Sequence, residues 1–127
     1  IFNNSEYVLE YIFFIILYQD LAKNGAEIIT VPSAFSNVTG PHHWHTLLKA
    51  RAIETGSFRL APAQSGKHQC GRTSFGHSLI ISPWGKILID AKKKEGLIYT
   101  RINLQEVTLA RQAIPNIFSK KEYSTNI

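Results

Sequence analysis

The spacing of apolar and polar positions changes period several times along the chain, and each change marks an expected element. Tyr7 to Tyr18 is an almost unbroken apolar run of twelve residues, interrupted by Glu10. It reads as a buried strand or helix. Leu21 to Lys23 is the end of a helix stopped by Gly25, and Ala26 to Pro32 is a short β-branched run of the kind that forms a buried strand. A polar loop, Ser33 to Gly40, follows. Pro41 then opens a helix capped by Thr39 or Gly40, because proline in the first turn forfeits no helical hydrogen bond. Trp44, Leu47, Leu48 and Ala52 fall on one stripe of that helix, and Gly56 ends it. Phe58 to Ala63 reads as a strand, and the glycine-rich, polar stretch Gln64 to Gly76 as a loop. His77 to Ser82 and Lys86 to Asp90 form a hairpin around Pro83-Trp84-Gly85, where proline fixes the first turn angle and glycine accepts a positive φ. Lys92 to Glu95 is a charged tip and Gly96 to Ile102 a further strand. Asn103 with Glu106 then opens a helix that Pro115 stops. The order is helix, strand, helix, three or four strands, helix. It predicts an α/β fold, a mixed sheet with helices on one face.

Composition bounds the picture further. The 127 residues, 44% apolar and 18% charged, predict one globular domain that hides roughly two thirds of its unfolded surface. We divide the chain into an apolar segment 1–19, a folded unit 20–118 and a polar tail 119–127. The apolar segment is shorter than the roughly 20 residues a membrane span needs. No basic stretch precedes it and no small-residue cleavage site follows, so neither a signal peptide nor a membrane partner is expected. The net charge of +5 attracts polyanions weakly, and Lys92-Lys93-Lys94 reads as a solvated tip without an aromatic or glycine-rich nucleic-acid motif. No nucleic-acid partner is expected. Cys70 is the single cysteine, which forbids an internal disulfide and points to a reducing, cytoplasmic setting.

Two residue clusters invite chemistry. On a helix His42 and His45 share a face while His43 points elsewhere, and no carboxylate or second cysteine stands at a ligand-like interval in the sequence. No metal site is expected. Cys70 lies in a polar glycine-rich loop with His68 two residues away, but nothing local positions a base or lowers the thiol pKa. It reads as an ordinary loop thiol.

The blocks LAKNGAEIITVPSAF (Leu21 to Phe35), TGPHHWHTLLKARAIETGSF (Thr39 to Phe58), AQSGKH (Ala63 to His68), GRTSFGHSLIISPWGKIL (Gly71 to Leu88) and GLIYTRINLQEV (Gly96 to Val107) resemble, in order and spacing, the C-terminal part of the nitrilase superfamily of carbon–nitrogen hydrolases, in its omega-amidase-like branch. The resemblance implies the C-terminal portion of an α-β-β-α sandwich and hydrolysis of non-peptide amide bonds without a cofactor. In that family a glutamate takes a cysteine thiol proton, the thiolate attacks the carbonyl carbon, and a lysine with a backbone amide stabilises the oxyanion. The resemblance places the glutamate and lysine upstream of Ile1, and the cysteine near Leu9, where this chain has none. No catalytic residue is therefore assigned, and Cys70 is not promoted to the role. The opening residues are rich in Ile, Phe, Asn and Tyr, types with A/T-rich codons. Together with a start at Ile1 they read as a fragment or a shifted reading frame.

The same resemblance sets Ser33, Ala34 and Phe35 beside the substrate pocket. His43, Trp44, Leu47 and Arg51 would lie on a helix at a subunit interface, and His77 would satisfy buried polar groups. The expected partners are a like subunit or a full-length relative, with a small amide substrate only if the missing half is supplied. The alternative is a non-catalytic interaction protein. A half sandwich leaves inner sheet faces without partners, so the isolated chain is expected to be oligomeric or aggregation-prone.

Overall fold

A computed structural model describes residues 11–119. After a 3₁₀ turn at Tyr11–Phe13, the elements are α1 (Ile15–Lys23), β1 (Ile28–Thr30), α2 (Gly40–Thr55), β2 (Phe58–Ala61), β3 (Ser65–Lys67), β4 (Thr73–Phe75), β5 (Leu79–Ile81), β6 (Ile87–Asp90) and α3 (Gln105–Ala113), closed by a second 3₁₀ turn at Asn116–Phe118. The main sheet runs β1-β2-β5-β6. Its first pair is parallel and the other two are antiparallel, so the expected mixed α/β sheet is what forms.

Alternation along the strands gives the sheet two apolar faces. Ile29, Val31, Ala61, Leu79 and Ile81 point one way and form one buried cluster with Tyr18 of α1 and with Trp44, Leu48 and Ala52 of α2. Ile28, Leu60, Ile80 and Ile89 alternate to the other face, where Ile28 remains 38% exposed and Leu60 and Ile89 are half-buried. α2 is bounded as its sequence dictates: proline sits in its first turn, and Gly56 closes it in the left-handed conformation, φ 55°.

Arg59, on the helix-facing side of β2, is the largest polar group in this core. Its guanidinium donates to the Arg51 carbonyl at 2.6 Å and to Thr55 Oγ1 at 2.5 Å and lies 5.2 Å from the centre of the Tyr18 ring. Burial pushes its pKa down to about 10. α3 docks by Arg111, which donates to the Thr55 and Ala26 carbonyls and to Ser57 Oγ.

Several expectations change. The stretch Gln64 to Gly76 is a two-stranded ribbon rather than a loop, with Ser65 opposite Phe75 and Lys67 opposite Thr73. Its anchor is the single apolar residue Phe75, 8% exposed, and Gly66 and Gly71 supply positive φ values of 90° and 83°. Gly96 to Ile102 is not a strand: Leu97 and Tyr99 project into solvent, and no described strand pairs with this backbone. The described part of the apolar segment forms α1 and buries Ile12 and Tyr18. Residues 1–10 of that segment and 120–127 of the tail lie outside the described residues. No described helix is long and apolar enough to cross a membrane.

Candidate functional site

The parallel pair β1–β2 directs two chain ends to the same edge of the sheet, and a crevice at the carboxyl ends of parallel strands is where α/β folds place their ligands. The pairing continues past the strands as a bridge between Ser33 and Ala63. Ser33 donates its N–H to the Pro62 carbonyl and accepts at its own carbonyl from Gln64 N–H. A cleft of about 410 Å³ opens at this edge, bordered by Pro32, Ser33 and Ala34 from one chain segment, by Pro62, Ala63 and Gln64 from the other, and by Ser78. The Ser78 hydroxyl accepts from the Ala63 N–H at 2.9 Å and donates to the Ala63 carbonyl at 3.3 Å, which fixes that wall. The wall offers hydroxyl, amide and small apolar groups, and among the residues that line it there is no thiol, carboxylate, imidazole or amine.

Of the expected pocket residues, Ser33 and Ala34 line this cleft. Phe35 does not: it turns inward, 2% exposed, with its ring 5.3 Å from that of Trp44. The expected interface residues also divide. Trp44 is fully buried, and its indole N–H donates to the His77 carbonyl at 2.8 Å. Arg51 is buried as well, bonding the Ile12 carbonyl at 3.0 Å and Glu54 at 2.7 Å. Only His43 and Leu47 of the four reach solvent. Cys70 is exposed at the turn of the β3–β4 ribbon, where the Gly71 N–H donates to the His68 carbonyl. The His68 ring is engaged elsewhere, with Nε2 2.6 Å from Ser74 Oγ.

A cluster that the sequence did not reveal lies at the far end of β6. His45 Nε2 stands 3.1 Å from Asp90 Oδ2, and His77 Nδ1 stands 3.0 and 3.1 Å from the two Asp90 oxygens. The Lys92 N–H donates to Asp90 Oδ1 at 2.8 Å and its Nζ lies 3.3 Å from Oδ2. Burial pushes the Asp90 carboxyl up, but the Lys92 N–H and the two imidazoles outweigh it and hold the group well below the usual carboxylate range. His77 therefore does satisfy a buried polar group, through its ring to Asp90 and through its carbonyl to Trp44. The two histidines that meet Asp90 are forty-five and thirteen residues from it in sequence, so local spacing carries no trace of the cluster. A second cleft, about 370 Å³, lies between Glu27 and α3.

Comparison with known proteins agrees with this architecture. The chain is 47% identical over 95 residues to deaminated glutathione amidase of Rattus norvegicus, an overlap of 75% of this chain and 29% of that protein. It is 46% identical over 101 residues to deaminated glutathione amidase of Synechocystis sp. (strain PCC 6803 / GT-S), covering 80% of this chain and 37% of that one. Among solved structures, the C. elegans NitFhit protein superposes with a TM-score of 0.81 at 37% identity, over 87% of this chain and 26% of its own. Saccharomyces cerevisiae Nit3, a member of branch 10 of the nitrilase superfamily, superposes at 0.80 and 31% identity, over 88% and 41%. The chain thus spans about a third of the length of the curated relatives it matches. The carbon-nitrogen hydrolase family matches residues 8–112, and the chain belongs to that family.

Proposed function

We propose that this chain supplies one wall of the substrate cleft of an amidase-type carbon–nitrogen hydrolase and does not by itself hydrolyse amides. The observation that carries the reading is the cleft wall around Ser33, Ala34, Ala63 and Ser78, which holds no thiol, carboxylate or amine. The chain's one thiol, on Cys70, is exposed at a ribbon turn instead. Hydrolysis through a covalent acyl-enzyme requires a nucleophile and a positioned base within hydrogen-bond reach of each other. In this reading the wall recognises a small non-peptide amide by shape and backbone contacts, and the reacting groups come from the rest of a full-length protein. The relatives' names support an amide substrate of the deaminated glutathione type. The exposed thiol is consistent with a reducing, cytoplasmic setting.

A second reading, association with a like subunit or a full-length relative, is favoured by the incompletely covered apolar row Ile28, Leu60 and Ile89. The two readings are tested together. The purified 127-residue chain should show no turnover of short amides or omega-amides, and sedimentation should show it self-associated or joined to an added full-length relative. Amide turnover that disappears in Cys70→Ser would overturn the first reading. A soluble monomer that ignores the added relative would overturn the second.

A further inference from the structure

The His45, His77 and Asp90 side chains come from three separate places in the fold, the second turn of α2, the loop two residues before β5 and the end of β6, and converge on one point. One ligand atom from each lies within 4.8 Å of the other two. We propose that these three residues form a binding site for a divalent late first-row metal ion of the zinc class.

The donor set is the first argument. Two imidazoles and a carboxylate are the nitrogen and oxygen ligands such ions take, and three protein ligands leave a fourth position open to water. The spacing is the second. Ligand atoms around a tetrahedral zinc at about 2.0 Å lie about 3.3 Å apart, and the two His–Asp separations are already 3.0 to 3.1 Å. The third separation, between the two imidazole nitrogens, is no more than 4.8 Å.

Support behind the ligands is the third argument, because groups behind a ligand fix its orientation and its basicity. The Phe75 ring stacks on His77 with centroids 4.3 Å apart and an interplanar angle of 20°, and meets His45 edge-on at 5.9 Å. Trp44 holds the His77 carbonyl, and the Lys92 N–H holds Asp90. His77 and Lys92, the two described non-glycine residues with positive φ (59° and 57°), flank the site, and such backbone is retained where its surroundings enforce it. The side chains of His45, His77 and Asp90 are 28%, 16% and 13% exposed, sheltered yet reachable. Lys92 Nζ, on a side chain 70% exposed, occupies the metal's electrostatic place and is free to swing into solvent.

The test titrates Zn²⁺ into the 127-residue chain carrying Cys70→Ser, which removes the exposed thiol as a competing ligand. Calorimetry should show one site per chain, and Co²⁺ should give the intense visible absorption of a four-coordinate ion. His45→Gln, on the helix surface, should weaken binding at least tenfold with the circular dichroism unchanged. Asp90→Asn should do the same if it folds. Lys92→Ala should tighten binding several-fold by removing the competing ammonium. Absence of binding at micromolar Zn²⁺ would overturn the proposal. So would binding that survives His45→Gln, since the exposed His42 and His43 or the half-buried His68 would then be its source.

Discussion

Trp44→Phe isolates the contact through which α2 holds the start of β5. The substitution keeps an aromatic ring against Phe35 but deletes the N–H that donates to the His77 carbonyl at 2.8 Å. That carbonyl belongs to a partly buried residue held at φ 59°, so the orphaned acceptor costs about 1–3 kcal/mol. The smaller ring leaves roughly 40 Å³ at a fully buried position, worth about 1 kcal/mol at roughly 24 cal/mol per Å³. The total, about 2–4 kcal/mol, is a large part of the 5–15 kcal/mol typical of a domain. At about 4–8 °C per kcal/mol for a unit near 100 residues, the melting temperature should fall by roughly 8–30 °C. Thermal melts followed by far-ultraviolet circular dichroism measure this. Trp84→Phe, at a half-exposed turn, is the control and should move the melt by no more than about 0.5 kcal/mol. A Trp44→Phe melt within 2 °C or so of the parent would refute the reasoning, because neither the hydrogen bond nor the tight packing would then exist.

Gly40→Ala should destabilise the chain by about 1–3 kcal/mol, because an added Cβ would sit 2.3 Å from Phe75 Cγ. Stabilisation by up to about 1 kcal/mol, the gain that helix propensity alone predicts, would show that Phe75 yields easily. The Asp90 carboxyl is held below its unfolded value in the native state. Its contribution is therefore complete above pH about 4 and is lost as the pH falls through and below the carboxylate range. Urea melts between neutral and acid pH should lose stability along that limb, and Asp90→Asn should flatten it. An unchanged slope in the variant would remove Asp90 from the account.

What could be read from sequence follows from how local each signal is. α2 was legible because Pro41, the stripe of Trp44, Leu48 and Ala52, and Gly56 all lie within one element and agree. The β5–β6 hairpin was legible for the same reason, through Pro83 and Gly85. The β3–β4 ribbon was not, because Ser65, Gly66 and Lys67 show no period of two and Phe75 is the one large apolar side chain that the pair buries. Gly96 to Ile102 misled in the opposite sense. Its alternation of Leu97 and Tyr99 imitates a strand, but a strand also needs a partner backbone, which local pattern does not report. Ser33 and Ala34, which only the family resemblance singles out, line the cleft. Phe35 follows them in sequence, but the backbone turns its ring inward toward Trp44. The cluster of His45, His77 and Asp90 exists only once α2 is laid across the sheet, so no reading of neighbouring residues could have assembled it.

The order of strands in the main sheet also bears on how quickly it can assemble. Partners in β1–β2 are thirty residues apart in sequence, as in Ile28 with Phe58. Those in β2–β5 are about twenty apart, as in Leu60 with Ile80, and those in β5–β6 about nine, as in Ile80 with Ile89. Loop-closure entropy rises with the logarithm of loop length, and chains whose contacts are near in sequence fold faster than those joined by distant pairings. These separations set an order for the described pairings. The β5–β6 hairpin can close first and β2 can add beside it. β1 then joins through α2, so that during synthesis the sheet is within reach as soon as Asp90 has left the ribosome.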